Sequence, residues 1–249
     1  MSGAENIINM LGKFAPITLK EMESVKLMNR TDTKYMFNLS QLTQILEKCI
    51  DSYKVVHING SCTSTYQTLY YDTNNFELYH KHHSGKLNRY KIRIRTYKES
   101  KISFLEVKFK DNKGRTKKER ISYADSGFND TAAAFIESVT PYKASDLVPS
   151  VEILYTRITL VNRNYPERIT IDLGLTLKKG NVTKAFDTLV IAEVKQDKNV
   201  PSVFSHLMKE MRIKEGSMSK YCIGVSNLVE TVKANNFKEN NRRINKTAA

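Results

Sequence analysis

The sequence predicts an α+β fold in which a large β-rich sheet carries helices packed against it. Three observations predict it. Eight segments alternate polar and apolar residues at the strand period of two, and three others carry apolar stripes at helical spacing. At 249 residues the chain is long enough for one such domain with a substantial core, and nothing in its length demands a second, so 1–249 is read as a single domain.

The first strand is expected at Thr33–Phe37. Asn38 and Ser40 follow as possible caps for a helix over 40–50, striped by Leu42, Ile45, Leu46, Cys49 and Ile50. Strands are then expected at Thr65–Tyr71, Arg89–Tyr97, Ser103–Lys110 and Arg115–Tyr123. His83-Ser84-Gly85-Lys86 and Asn112-Lys113-Gly114 read as hairpin loops between them. A helix over 130–139 precedes three more strands, Val151–Val161, Glu167–Leu173 and Leu189–Gln196. Pro201 suits the first turn of a helix over 201–213, with Phe204, Leu207, Met208 and Met211 as its apolar stripe. A shorter helix is expected over 224–232, and the polar end from 238 to 249 reads as a fraying tail.

Charge narrows the partners. The chain has 40 Lys plus Arg against 26 Asp plus Glu, a formal net charge of +14, which implies a polyanionic partner. Nucleic acid, an acidic membrane surface and phosphorylated metabolites all meet that requirement, so the decision rests on where the charges lie. No apolar run approaches the roughly 18 to 20 residues of a membrane helix, and the N-terminal stretch lacks the pattern of a secretory signal. Three widely spaced cysteines, Cys49, Cys62 and Cys222, fit neither a disulfide framework nor a zinc cluster, and a reducing cytoplasm is the simplest location.

The charges lie on strand faces. In the segment 89–97, Arg89, Lys91, Arg93 and Arg95 share one face and Ile92 and Ile94 the other. Glu106, Lys108 and Lys110 likewise oppose Leu105, Val107 and Phe109. Lys118 pairs with Arg120 in the same way, Tyr155 with Arg157, Arg168 with Asp172, and Glu193 with Lys195. One such strand is ordinarily half buried with its charges in water. Repetition across a sheet is costly, because like charges facing each other on adjacent strands repel, and the cost suggests a use. Periodicity alone leaves open which face points inward. If the basic face lines a wet interior, the striped helices supply cover for the apolar exterior.

Taken together, the motifs Leu27–Tyr35, Tyr70–Thr73, Gly85–Arg95, Leu105–Lys108, Ile169–Asp172, Ala192–Lys195 and Ser219–Tyr221 resemble the polyphosphate polymerase domain of the vacuolar transporter chaperone (VTC) family, within the triphosphate tunnel metalloenzymes. Their order and spacing span about residues 20–232. The resemblance implies an antiparallel eight-stranded β-barrel with helices outside, a basic interior that binds ATP and polyphosphate or tripolyphosphate, and Mn²⁺ or Mg²⁺ as cofactor. By position it implies that Lys34, Arg93, Arg95, Lys108, Lys118, Arg157, Arg168 and Lys220 contact the transferred phosphates, with Lys117 able to replace Lys118 after a one-residue shift. Arg30, Arg89, Lys91 and Lys195 are further substrate-binding candidates, and Tyr97 and Tyr155, which fall on basic faces, could stack on adenine or serve packing instead. Glu193 would hold the metal, with Glu106 as a second candidate; either could instead pair with neighbouring lysines. One departure is informative. Many tunnel enzymes outside the polymerase branch open with Glu-x-Glu-x-Lys, whereas this chain has Arg30-Thr31-Asp32-Thr33-Lys34, which disfavours thiamine-triphosphatase or adenylate-cyclase activity.

Phosphoryl transfer asks mainly for positioning and charge stabilisation, which arginines and lysines at a spacing of two can supply. A terminal phosphate with its second pKa at about 6 needs no strong general base. Transfer from ATP to polyphosphate is thus the expected activity. A non-catalytic polyphosphate-binding module and a tripolyphosphatase are the alternatives. A single-stranded RNA-binding protein is the reading from another class, which would need the basic face to be open. Nucleic acid is not an expected partner. His80 and His82 would share a face if the segment before Gly85 were a strand, but no cysteine or acid lies at zinc spacing.

Overall fold

The structure, a computed structural model, describes residues 3–24, 30–125, 127–197 and 200–248. In chain order its elements are α1 (Gly3–Leu11), β1 (Ala15–Thr18), α2 (Leu19–Ser24), β2 (Arg30–Asn38), α3 (Leu42–Cys49), β3 (Tyr53–His57), β4 (Thr63–Thr73), α4 (Glu77–His83), β5 (Arg89–Tyr97) and β6 (Ile102–Lys110). There follow β7 (Thr116–Ser122), α5 (Asp130–Val139), β8 (Leu147–Asn162), β9 (Glu167–Lys179), β10 (Val182–Phe186), β11 (Leu189–Asp197), α6 (Val203–Glu210), α7 (Lys220–Leu228) and α8 (Lys238–Ala248).

All eight expected strands lie on one path, β2-β11-β9-β8-β4-β5-β6-β7, and every neighbouring pair on it is antiparallel. The short β1, β3 and β10 extend it at the side, β3 on β8, β1 parallel to β3, and β10 on β9. The sheet curls into a tunnel. Ser219 at the start of α7 meets Lys91 of β5 and Lys220 beside it meets Asp172 of β9, so side chains from strands three places apart on the path converge on one helix start. Among the described residues β2 and β7 end the path without pairing to each other, so the barrel is not closed by hydrogen bonds. β7 carries Lys117, Lys118 and Arg120, and such charges keep an exposed edge from recruiting another strand.

The helices decide which face is inside. Ile92, Ile94, Leu105 and Val107 pack with Ala132 and Ile136 of α5. Phe37, Ile158, Ile171 and Val190 pack with Leu42 and Leu46 of α3, Phe204 and Met208 of α6, and Leu11 of α1. Each fully buried side chain of this size contributes roughly 1.5–3 kcal/mol, so the apolar face is committed outward beneath the helices. The basic face is left to line the tunnel.

Helix α7 behaves differently from the others. Its Tyr221, Ile223 and Val225 pack on Val151, Ile153, Ile191 and Met36, which point into the tunnel, and α8 adds Ile244 behind them. Gly224 makes this approach possible, since a Cβ there would come within 2.9 Å of Ile153 Cδ1 and 3.0 Å of Val151 Cγ2. Tyr221 is also hydrogen-bonded to the buried carboxylate of Asp72, which accepts from the amides of Leu78 and Tyr79 at 2.8 and 2.9 Å and so ties α7 to α4.

Four local expectations need correction. The stretch 83–86 is the last residue of α4 and the turn that ends it, not a hairpin loop between strands, because Asp72, far from α4's own sequence signals, caps the first turn of the helix. His80 and His82 therefore project about 200° apart on a helix, and among the described residues no group of three metal-ligating side chains forms. The helix expected at 224–232 starts at Lys220, where the Ser219 hydroxyl accepts from the Cys222 amide at 3.3 Å. The helix expected from Pro201 starts at Val203, capped by Ser202. The polar end is ordered as α8 through Asn38, which donates to the Thr247 carbonyl at 2.9 Å, and through buried Ile244. No helix of the described residues is long and apolar enough to cross a membrane.

Gly224→Val is expected to cost about 1–3 kcal/mol, the usual range for overpacking a tight contact. A urea midpoint unchanged from the unmodified protein would show that α7 does not press on the inner sheet.

Candidate active site

The inward faces meet in three charged clusters, each built from residues directly paired across neighbouring strands. Arg93 and Glu106 face each other on β5 and β6. Arg157 and Asp172 do so on β8 and β9, and Lys34 and Glu193 on β2 and β11. Strand period and register thus place opposite charges side by side without any help from loops.

In the first cluster Arg93 donates from Nε and Nη2 to Glu106 Oε2 at 2.7 and 2.5 Å, and from Nη1 to the Tyr70 hydroxyl at 3.1 Å. Lys118 pairs with Glu106 Oε1, and Arg95 Nη1 lies 3.9 Å from Oε2. Burial alone would raise the Glu106 carboxyl, but Arg93, Arg95 and Lys118 outweigh it and hold it at about 2. In the second, Arg157 grips Asp172 with two parallel bonds of 2.6 and 2.8 Å, and Lys220 donates at 2.5 Å. In the third, Glu193 receives Lys34 at 2.7 Å and Lys195 at 2.6 Å, and Lys195 also reaches Asp32 at 3.2 Å. Burial opposes the charge of Glu193 too, yet Lys195 and Lys34 hold its carboxyl well below the usual range.

Cations remain in excess of these carboxylates. Lys91 donates to a neutral hydroxyl, Ser219 Oγ, at 3.0 Å. Lys108 sits in register between Lys91 and Lys118, and no hydrogen bond or ion pair within the described residues holds its ammonium. Burial, with Arg93 and Arg95 nearby, pushes it down to about 6. At the same end His82, half-buried beside Lys91 and Arg89, is pushed down to about 2 by desolvation and those two cations. Such a wall is short of negative charge.

The structure brings Lys34, Lys91, Arg93, Arg95, Lys108, Lys118, Arg157, Lys195 and Lys220 to the tunnel interior. It also separates Lys118 from Lys117, which lines a cavity of about 510 Å³ between α5 and the outer face of the sheet. Arg168 lies at a margin, its guanidinium 3.7 Å from Met22 Sδ. Arg89 donates to the Lys86 carbonyl at 2.7 Å. The backbone of Arg30 pairs with Asp197; its side chain, like residues 27–29 of the first motif, lies outside the described residues.

Two roles are revised. Tyr155 is no open platform for adenine: it is 2% exposed, stacked on Tyr66 at 5.1 Å, and covered by Lys220 at 4.6 Å and Arg157 at 5.2 Å. Glu106 does not suit a divalent metal, since three cations enclose it and no part of it is exposed. Glu193 does. Its side chain keeps 20% exposure and that of Asp32 nearby 34%, giving hard oxygen donors beside room for water and phosphate oxygens, the arrangement favoured by Mg²⁺ and Mn²⁺. Unforeseen from sequence were the polar residues of β4, where Thr68 accepts from Arg95 Nε at 3.2 Å and the Tyr66 ring lies under Arg95 and Arg157. Their period-two spacing, Tyr66, Thr68, Tyr70, was the available signal. An interior basic face also removes the open surface that an RNA-binding reading requires.

The VTC domain family matches residues 29–229, most of the chain. The chain belongs to that family. Among solved structures, this VTC domain is similar to a candidate adenylyl cyclase from Hippeastrum whose dominant activity is that of a triphosphatase, with 16% identity, 82% of this chain and 98% of that one covered, and a TM-score of 0.52. A candidate adenylate cyclase from Bacillus halodurans shares 12% identity over 82% of this chain and 100% of its own, with a TM-score of 0.51. At such identities the likeness establishes the tunnel fold. No curated protein matches the chain.

Lys108 supplies a pH test. Its ammonium is penalised in the folded state, fully below about 6 and progressively less as pH rises toward the unfolded value of about 10.4. An arriving phosphate restores the charge, so metal-free tripolyphosphate binding at pH 7.5 should take up protons. Titration calorimetry in two buffers of different ionisation enthalpy should show that uptake and its reduction in Lys108→Met. The same variant should be as stable as the unmodified protein or more so. Arg93→Met should lose about 3–5 kcal/mol, because it strips a partner from buried Glu106. Equal thermal shifts for the two variants would contradict this division.

Proposed function

We propose that this VTC domain is a polyphosphate polymerase, transferring the γ-phosphoryl group of ATP to the end of a polyphosphate chain held in the tunnel. The observation that carries this reading is the excess of cations on the inward face, where no ion pair among the described residues holds Lys108, in a chain of the VTC family. A phosphate chain supplies the missing negative charge along several strands at once.

In this reading the chain's terminal oxygen attacks the γ-phosphorus, the bond from γ-phosphorus to the β–γ bridging oxygen breaks, and ADP leaves. The attacking phosphate is already largely anionic, with a second pKa of about 6. Arg93, Arg95, Lys108 and Lys118 on one wall, and Arg157 and Lys220 on the other, would stabilise charge on the transferred group's oxygens. The paired donors of arginine match phosphate geometry and the lysines act as point charges. Lys34 and Lys195 can exchange Glu193 for phosphate, which frees the carboxylate. Glu193, with Asp32, would then hold Mg²⁺ or Mn²⁺, which when bound neutralises charge developing on the phosphate oxygens.

Incubation with ATP and Mn²⁺ or Mg²⁺ should yield ADP and a phosphate polymer. Release of orthophosphate alone would sink the polymerase reading and favour a phosphatase, and retained polyphosphate binding without nucleotide consumption would favour a polyphosphate-binding module.

Glu193→Gln should reduce metal-dependent turnover by at least about 100-fold, as expected where the metal's charge stabilisation is lost. Its metal-free affinity for tripolyphosphate should be unchanged or tighter, since a negative charge has left a cationic tunnel. Turnover at the unmodified rate would remove Glu193 from the mechanism.

A further inference from the structure

Thr170 lies in the first half of β9 on the tunnel face, between Arg168 and Asp172, and directly opposite Glu193 of β11. It is 6% exposed, and its hydroxyl oxygen is buried with no hydrogen-bond partner among the described residues. An unsatisfied buried hydroxyl costs about 1–3 kcal/mol, and nearly all such groups in folded proteins find a partner. The cross-strand carboxylate of Glu193 does not provide one: its two oxygens engage Lys34 and Lys195, and neither accepts from Thr170. Valine has the same shape as threonine, suits a strand better, and would remove the cost. The hydroxyl is therefore a donor held in reserve beside groups that can release their own partners.

We propose that Thr170 is a substrate-binding residue, donating its hydroxyl hydrogen to a non-bridging oxygen of the phosphate that Lys34 and Lys195 engage. This rests on the phosphate-tunnel reading of the site. When phosphate draws the two lysines from Glu193, it enters the same cross-strand row as Thr170. The hydroxyl then gains an anionic acceptor, and hydrogen bonds to charged groups are the stronger kind. A neutral donor adds direction where the lysines supply only charge, so it helps to set which phosphate of the chain stops beside Glu193.

The test compares metal-free tripolyphosphate binding by calorimetry with thermal stability for the unmodified protein, Thr170→Val and Thr170→Ser. Thr170→Val is expected to weaken binding about 5- to 30-fold, the effect of losing one hydrogen bond to a charged group. Its melting temperature without ligand should be unchanged or higher, and Thr170→Ser should restore most of the affinity. Unchanged affinity in Thr170→Val would overturn the proposal. A marked loss of stability without ligand would also overturn it, by showing that the hydroxyl serves the fold. If Thr170→Val does not fold, Thr170→Ala against Thr170→Ser isolates the same hydroxyl. No binding by the unmodified protein would overturn the tunnel reading itself, whereas binding that ignores these substitutions would overturn only the role of Thr170.

Discussion

Like-charge repulsion between cations turned toward one another is the constraint on which the rest of the structure depends. Arg93, Arg95, Lys108 and Lys118 crowd one wall, and Arg157, Lys220, Lys34 and Lys195 the other. An arrangement of this kind survives in the absence of ligand only because Glu106, Asp172 and Glu193 stand among the cations. The three carboxylates differ in how deeply they are held. Glu106 is enclosed and Asp172 nearly so, whereas Glu193 keeps a partly open face. The first two act as permanent ballast, and the third as a group whose lysines can change partner.

The same constraint accounts for the outside of the molecule. A sheet whose polar face is turned inward must bury its apolar face elsewhere, and α1, α3, α5 and α6 provide the cover. Most of the apolar packing therefore lies outside the tunnel wall. That division separates stability from binding: the outer clusters hold the strands in register, and the inner face can tolerate charge and unsatisfied donors that a single shared core would not. Helix α7 is the exception, seated against the inner face through Gly224 and anchored by Tyr221 to Asp72. Its first turn delivers Ser219 and Lys220 to the charged interior, so one element links packing to phosphate chemistry.

Strand spacing set most of this in advance. The eight path strands were legible because each keeps its alternation over several residues, and the basic face was legible because Arg89–Arg95 and Glu106–Lys110 repeat it. Short elements were not. β1, β3 and β10 have four or five residues each, too few for a period to stand out. Helix α4 depends on Asp72, which reaches the Leu78 amide across six positions, and α8 has a single buried apolar residue, Ile244.

By itself the sequence determined the strand periods, the cationic face, the cover helices expected over 40–50, 130–139 and 201–213, and the family motifs. Only the tertiary structure decided which way the basic face points, because inward and outward sheets have the same alternation and the position of helices alone breaks the tie. It also decided that Lys118 rather than Lys117 faces the tunnel, that Tyr155 is sandwiched, and that Glu106 is enclosed while Glu193 is not. Each of these depends on register between strands far apart in sequence, such as β2 with β11 across more than 150 residues. Local pattern specifies a side chain's face; what stands opposite it is set by long-range pairing.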